Sequence, residues 1–331
     1  MTNPRASARS QILEWAEHGA LSPDNVRAAL ALTRAIPDAS QWRRFVSALL
    51  LWLGALLFAA GVIFFFAYNW HALGRFAKFG LVEGLLVVSV VAAWIAGPDK
   101  AAGKASLLLA SLLTGALLAL IGQTYQTGAD TFELFAWWAV LILPWTIAAR
   151  TPALWMLFVA LLNLAVTFYF MAFRGFFGVF GNEASLVWAL FTLDTLALIA
   201  WELAAWRGCS WMQERWPARL IAVASGTAVT ILGVWGIFES SDVGILTIPA
   251  YFAWLTAAYL YYRRQTRDLF VLAGGVLSLI VFVASLLSHL MLQRADAGSL
   301  QLIGVVVIAM SAAGAWWLKN VAAGQEQEEA P

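Results

Sequence analysis

Charge is what this sequence has least of. Of its 331 residues, 12% are Asp, Glu, Lys or Arg and 62% are hydrophobic, whereas a soluble domain is about 25% charged and roughly 45–50% apolar. So few charges cannot cover a water-soluble surface of that size, and the same apolar content excludes disorder. Cysteine is nearly absent: Cys209 stands alone and can form no internal disulfide. The three histidines, His18, His71 and His289, lie far apart, so no Cys/His cluster has the spacing of a metal site. A net charge of +1 leaves no basic excess for nucleic acid. There is no glycine-rich phosphate loop, no Gly-x-Ser-x-Gly elbow and no His-Glu-x-x-His motif. The residues thus assign no catalytic group and call for no metal or cofactor. Residues 1–44 are polar, with Arg5, Arg9, Glu14, Glu17, Asp24 and Arg27, which argues against a cleavable signal peptide. The apolar run from Phe45 is long enough to act as an uncleaved signal-anchor.

What the chain has is long apolar runs. A helix crossing the hydrocarbon needs about 20 mostly apolar residues. That window marks ten candidates, at about 45–67, 76–96, 105–122, 132–149, 153–173, 185–206, 218–238, 245–262, 269–289 and 299–318. The fold class is therefore all-α, a polytopic transmembrane helix bundle of about ten spans over residues 45–318. The fourth and fifth spans are separated only by Arg150-Thr151-Pro152, where Pro152 disfavours helix at Thr151 and can begin the next helix. Basic residues support the count. With a cytoplasmic N-terminus, only Arg75, Lys78, Arg174 and Arg294 fall outside, leaving the other 16 of the 20 inside. Positively charged loops stay cytoplasmic on insertion, so both termini are expected inside. Trp42, Trp70, Trp94, Trp206, Trp216, Trp316 and Trp317 fall at span ends, at headgroup level. Glycine pairs seven apart, Gly54/Gly61, Gly115/Gly122 and Gly226/Gly233, and the Gly80/Gly84 pair make small-residue stripes that let helices approach closely.

The spans are flanked by two polar segments, a cytoplasmic helical pair at 1–44 and an acidic cytoplasmic tail at 319–331. In the first, Ile12, Leu13, Trp15 and Ala16 mark one face of a short helix ended by Gly19. Ser22-Pro23-Asp24 then reads as the start of a second helix reaching about Ala35 and stopped by Pro37. Two such helices cannot make a core of their own. They pack on the membrane domain, lie on the lipid surface or hold a partner. The tail, with Glu326, Glu328 and Glu329, reads as a solvated end.

Ionisable groups inside a bilayer are costly and commonly face a bundle interior or a water-filled cavity. Glu83, about a third of the way into the second span, and Asp194, near the middle of the sixth, form the candidate intramembrane polar site. Each is either a proton-coupling or substrate-binding carboxylate, or a carboxyl hydrogen-bonded between helices. Glu202 and His289, nearer span ends, read as interfacial, and Asn163 as an interhelical hydrogen bond. Pro144, Pro249 and Gly274-Gly275 are places where a kink or unwound segment would line a transporter site. Ten helices divided evenly give two five-helix halves of opposite topology, without a residue-level repeat to support the division.

The clearest polar constellation is the outside loop Gly122-Gln123-Thr124-Tyr125-Gln126-Thr127-Gly128-Ala129-Asp130, flanked by Phe132, Phe135, Trp137 and Trp138. With Asn69, the side chains of Gln123, Tyr125, Gln126 and Asp130 are candidates for binding a polar headgroup, a sugar or a cation. The same loop also reads as a plain turn, with Asp130 or Thr131 capping the next helix. Together with Ala67-Tyr68-Asn69-Trp70, Leu134-Phe135, Trp138 and Leu143-Pro144-Trp145, this run resembles the bacterial membrane proteins of domain-of-unknown-function family 2157. The N-terminal pair with Trp15 and Gly19 is similar too, and the resemblance covers about residues 10–170. It implies a multi-span protein of the bacterial inner membrane. Some members are encoded beside a second multi-span protein with a Gly-Asp-Tyr signature, which implies a membrane partner. It carries over no biochemical activity.

Three functions follow as expectations. Ten spans, short loops, intramembrane carboxylates and Pro/Gly interruptions suit transport or translocation of a small polar or lipid-linked substrate. Glycine-striped helices and the N-terminal pair suit an accessory or scaffold subunit holding a second membrane protein. An intramembrane enzyme acting on a lipid-linked substrate would have to work with Glu83, Asp194 and the 123–130 loop, and is the least supported.

Overall fold

The computed structural model describes residues 4–33, 39–69, 73–126, 128–173, 183–238, 244–291 and 297–329. Arg34, Ala35, Pro37, Trp70, His71, Thr127, Arg174 and Arg294, used above, lie outside them. All regular structure among the described residues is helical, as the apolar runs require. Two short helices, α1 (Pro4–Glu17) and α2 (Pro23–Leu32), come first. Ten long ones follow: α3 (Ala39–Tyr68), α4 (Arg75–Ala96), α5 (Ala101–Tyr125), α6 (Thr131–Ala149), α7 (Pro152–Ala172), α8 (Glu183–Trp206), α9 (Arg215–Phe238), α10 (Gly244–Arg264), α11 (Leu269–Met291) and α12 (Ala297–Glu329). A single 3-10 turn, Ser210–Met212, sits between α8 and α9.

Among the described residues nine helices, α3 to α9, α11 and α12, are long and apolar enough to cross a membrane. The expected span at 245–262 is α10, which is helical throughout but not among those nine. Four tyrosines, Tyr251, Tyr259, Tyr261 and Tyr262, and the closing Arg263-Arg264 lower its apolarity. At 21 residues it is still about 31 Å long, against a hydrocarbon core of about 30 Å. It also packs against α9 and α11. Gly226 and Gly233 of α9 meet Trp254 and Tyr251, while Leu255 meets Gly275 of α11 and Tyr251 stacks on Phe282. Pairs of this kind, rising on one helix as they fall on the other, make α10 antiparallel to both.

The chain divides into two compact units, Met1–Leu117 and Leu118–Pro331. The boundary lies inside α5, a division by contacts that differs from the even five-plus-five one the helix count allows. The physical reason is that α6 to α12 pack in series. Helix α6 packs on α7, α7 on α8 and α8 on α9, which also meets α10 and α11; α12 closes against α11. In this unit the core gathers Leu198, Trp201, Ile221, Tyr262, Val271 and Leu272 at one end, and Val229, Tyr251 and Phe282 deeper in.

In the first unit α1 packs on α2. Ile12 is buried, whereas Leu13 and Trp15, expected on the same face, are exposed. Gly19 adopts φ +72°, the left-handed conformation that ends a helix and suits glycine. Pro23 opens α2 with Asp24 in its first turn, but Ser22 makes no capping hydrogen bond and the helix stops at Leu32.

Several local expectations are corrected. Helix α5 runs on through Gly122 to Tyr125, so Gln123, Thr124 and Tyr125 form its last turn and the loop begins only at Gln126. Asp130 occupies the N-cap position of α6 without a side-chain hydrogen bond to it. Helices α6, α10 and α11 continue unbroken through Pro144, Pro249 and Gly274-Gly275. One missing hydrogen bond per proline is a loss that adjacent turns absorb. Helix α12 runs to Glu329, which is compatible with the solvated end expected of the acidic tail.

Between α6 and α7 the turn is as tight as expected. Arg150 closes α6 with φ 45° and ψ 45°, and Pro152 opens α7 behind an extended Thr151. A non-glycine residue pays roughly 1–2 kcal/mol in this conformation. Arg150→Gly should therefore raise stability by about 1 kcal/mol, read as a higher midpoint in detergent unfolding. A lower midpoint would mean that the arginine side chain contributes more than its backbone costs.

Candidate functional site

The densest polar arrangement lies at one end of α8 to α11, where the sequence expected only interfacial residues. Glu202, on the last turns of α8, is 7% exposed. Its Oε1 accepts from the Tyr262 hydroxyl at 2.9 Å, and its Oε2 accepts from the Tyr261 hydroxyl and from Arg215 Nη1, both at 3.1 Å. Arg215, at the start of α9, also donates through Nε to Asp268 Oδ2 at 3.2 Å. Arg219, one turn further, places its Nε 3.0 Å from the same oxygen. Asp268 in turn caps α11, its Oδ1 accepting the Phe270 N–H at 3.1 Å. Both guanidiniums lie over aromatic rings, Arg215 over Tyr262 at 5.8 Å and Arg219 over Phe270 at 5.6 Å. Two carboxylates, two guanidiniums and two phenols thus tie four helices together.

Asp268 lies between α10 and α11, with its side chain nearly buried. Burial alone would raise its pKa, but the hydrogen bonds and charges of Arg219 and then Arg215 outweigh it and hold the carboxyl below its ordinary value. A depressed carboxylate contributes stability above its unfolded pKa of about 3.9 and loses it as pH falls through the folded value. Unfolding midpoints should therefore stay level from neutral pH down to about pH 5 and fall only below about pH 4. In Asp268→Asn that acid limb should shrink; an unchanged limb would place its origin elsewhere.

Deeper in the same unit, polar side chains pair across helices. Asp194 is 2% exposed, and its Oδ1 accepts from Asn163 Nδ2 of α7 at 2.9 Å. The same amide donates to the Val159 carbonyl at 3.0 Å, so the two sequence candidates Asn163 and Asp194 are partners. The next residue, Thr195, meets Ser225 of α9 at 2.7 Å. Thr230 meets Ser278 of α11 at 2.7 Å, and Ser278 donates to the Tyr251 hydroxyl at 3.1 Å. These pairs connect α7 to α11 through their interior faces.

Glu83 belongs to the first unit and is placed quite differently. The buried face of α4 carries Lys78, Val82, Ser89 and Ala93, which share one side at helical spacing. Glu83 lies off that face and is exposed. It is about 12 Å along the axis from Arg75 and about 20 Å from Ala96. Gly80 and Gly84 beside it have open space where a Cβ would be, as do Gly54 and Gly61 of α3. Of the glycine stripes, Gly226/Gly233 therefore makes the close approach expected of it, whereas Gly54/Gly61 and Gly80/Gly84 have no described residue against them.

Asn69 donates to the Phe65 carbonyl of its own helix at 3.0 Å. Gln123, Tyr125, Gln126 and Asp130 are all exposed. Gln126 takes φ 45° and Gly128 φ 68°, both in the left-handed region of the backbone. No group of three or more His, Cys, Asp or Glu among the described residues is arranged to hold a metal.

The end cluster was largely missed from sequence. Asp268 is the one carboxylate between the arginines of 263–267 and the apolar run of α11, a helix-cap signal that could have drawn attention to it. Nothing in the sequence indicates that Tyr261, Tyr262 and Glu202 meet, because they come together from separate helices.

Nine long apolar helices among the described residues, seven of the chain's helices packing one on the next from α6 to α12, define a membrane-integral helical protein. A family model described as a predicted membrane protein (DUF2157) matches residues 13–155, from α1 to the first turn of α7. The resemblance carried by the Gln123–Asp130 run is borne out over that region. No curated protein and no solved structure matches the chain.

Proposed function

We propose that this protein is a non-enzymatic subunit that holds a second multi-span protein in the bacterial inner membrane, with both termini cytoplasmic. The observation that carries this reading is Glu83 on the uncovered side of α4, beside two glycines with open space above them. A charged group at a helix centre costs about 3 kcal/mol on insertion scales. A partner helix offering a donor against Glu83, seated on the Gly80/Gly84 face, removes that cost and gains close backbone packing. The N-terminal pair, with Leu13 and Trp15 exposed, supplies a second contact outside the bilayer.

The test is the composition and mass of the protein extracted from its own membrane into nanodiscs. The wild type should carry a second membrane protein at fixed stoichiometry. Gly84→Leu should release it while leaving the helical content unchanged, and deletion of residues 1–40 should weaken its retention. A wild type that is a single chain in every lipid tried would sink the proposal.

Transport is the second reading, favoured by Asp194. Its Oδ1 is held by Asn163, while Oδ2 has no donor among the described residues, and hydroxyl pairs continue away from it. Proteoliposomes of the wild type should then collapse an imposed pH gradient faster than empty vesicles, and Asp194→Asn should not. Equal rates for wild type and empty vesicles would remove this reading.

A further inference from the structure

The first unit contains a cavity of about 680 Å³ at the start of α3 and α5, lined by Ser40, Arg43, Arg44, Ser47, Leu51 and Ala101. Two features give it a definite chemistry. Arg43 and Arg44 are exposed and pair with no carboxylate among the described residues. Both helices also begin there, at Ala39 and Ala101, and helix N-termini favour negative charge. In sequence, Asp99 precedes Ala101 and the basic Lys100 and Lys104 flank it. The lining includes the Ser47 hydroxyl, which can donate to a phosphate oxygen, and it becomes apolar at Leu51, two turns further along α3 from Arg44.

Depth distinguishes a lipid from a soluble anion. Trp42 and Phe45, exposed and in edge contact at 5.8 Å, lie within the same two turns of α3. Aromatic side chains of this kind sit at the headgroup level of a membrane. Basic pockets between helices at that level are suited to acidic headgroups. We infer that this cavity binds the phosphodiester headgroup of an acidic membrane lipid, with Arg43 and Arg44 on the phosphate and the glycerol and upper acyl chain against Leu51. The inference stands apart from the partner reading above and uses neither Glu83 nor the Gly80/Gly84 face.

The experiment is native mass spectrometry of the full chain in mixed micelles with dioleoyl phosphatidylglycerol or dioleoyl phosphatidylcholine. The wild type should retain the acidic lipid in preference to the neutral one. Arg43→Gln/Arg44→Gln should lower that retention roughly 30-fold, as expected for two basic residues at a membrane surface. Arg43→Lys/Arg44→Lys, which keeps the charge, should preserve most of it. Arg263→Gln/Arg264→Gln removes the same charge elsewhere and should have little effect. Helical content by circular dichroism should be equal in all variants, which separates loss of the site from loss of the fold. Equal retention of both lipids by the wild type, or equal losses from the two glutamine pairs, would overturn the site. Displacement of the lipid by millimolar inorganic phosphate would overturn the lipid as its occupant.

Discussion

Asp268→Ala should be the most destabilising single substitution in the end cluster, lowering stability by about 3 kcal/mol. Removing one partner of a buried ion pair leaves the other charge uncompensated; here Arg219 loses its carboxylate, while Arg215 keeps Glu202. The full range for such a loss is about 3–5 kcal/mol. The lower end applies because Arg219 is 43% exposed on its side chain and is partly solvated. Loss of the cap on Phe270 contributes about 1 kcal/mol of that total. Asp268→Asn keeps an acceptor for the cap and should cost less than Asp268→Ala. Denaturation of both variants in a graded sodium dodecyl sulfate series, followed by tryptophan fluorescence, measures the difference. If Asp268→Ala unfolds at the wild-type midpoint, the cluster does not hold α9 to α11.

The second large effect belongs to Gly233. A Cβ on this residue would lie 2.9 Å from Cγ of Tyr251, inside the distance that real contacts allow. Tyr251 cannot move aside easily: it is fully buried, stacked on Phe282 at 4.7 Å and bonded to Ser278. Overpacking of this kind costs about 1–3 kcal/mol, so Gly233→Ala should lie in that range and Gly233→Val above it. Gly226→Ala should cost less, since its Cβ would meet the outer edge of Trp254 at 3.0 Å. Gly80→Ala faces open space and should leave the isolated chain as stable as before, or up to about 1 kcal/mol more so. The same detergent series ranks all of them. Equal midpoints for Gly233→Ala and Gly80→Ala would mean that α9 and α10 are less closely packed than described.

The two predictions mark how far the residues could be read in advance. Gly226 and Gly233 announced a close approach by their spacing, but so did Gly54/Gly61 and Gly80/Gly84, whose faces are open. Spacing specifies a narrow stripe on one helix and says nothing of which helix, if any, lies against it. Asn163 and Asp194 were each legible as polar residues inside a span, because hydrocarbon leaves such groups few alternatives. Their pairing was not, since it depends on the relative rotation and depth of α7 and α8. Glu202 looked interfacial from its distance to the helix end and proved buried, because Tyr261, Tyr262 and Arg215 converge on it from two other helices.

The scarcity of charge determined by itself that this is a membrane-integral helical protein, because a backbone in hydrocarbon must satisfy its own hydrogen bonds and a helix does so within one segment. That property is local, so apolar run length and turn residues such as Arg150-Thr151-Pro152 sufficed to place most helices. Tertiary structure alone decided which of the few polar groups meet. Asp194 found Asn163, Glu202 and Asp268 found their arginines, and Glu83 remained uncovered among the described residues. The reason is that helix packing is set by the fit of whole side-chain surfaces, which no single run of sequence contains.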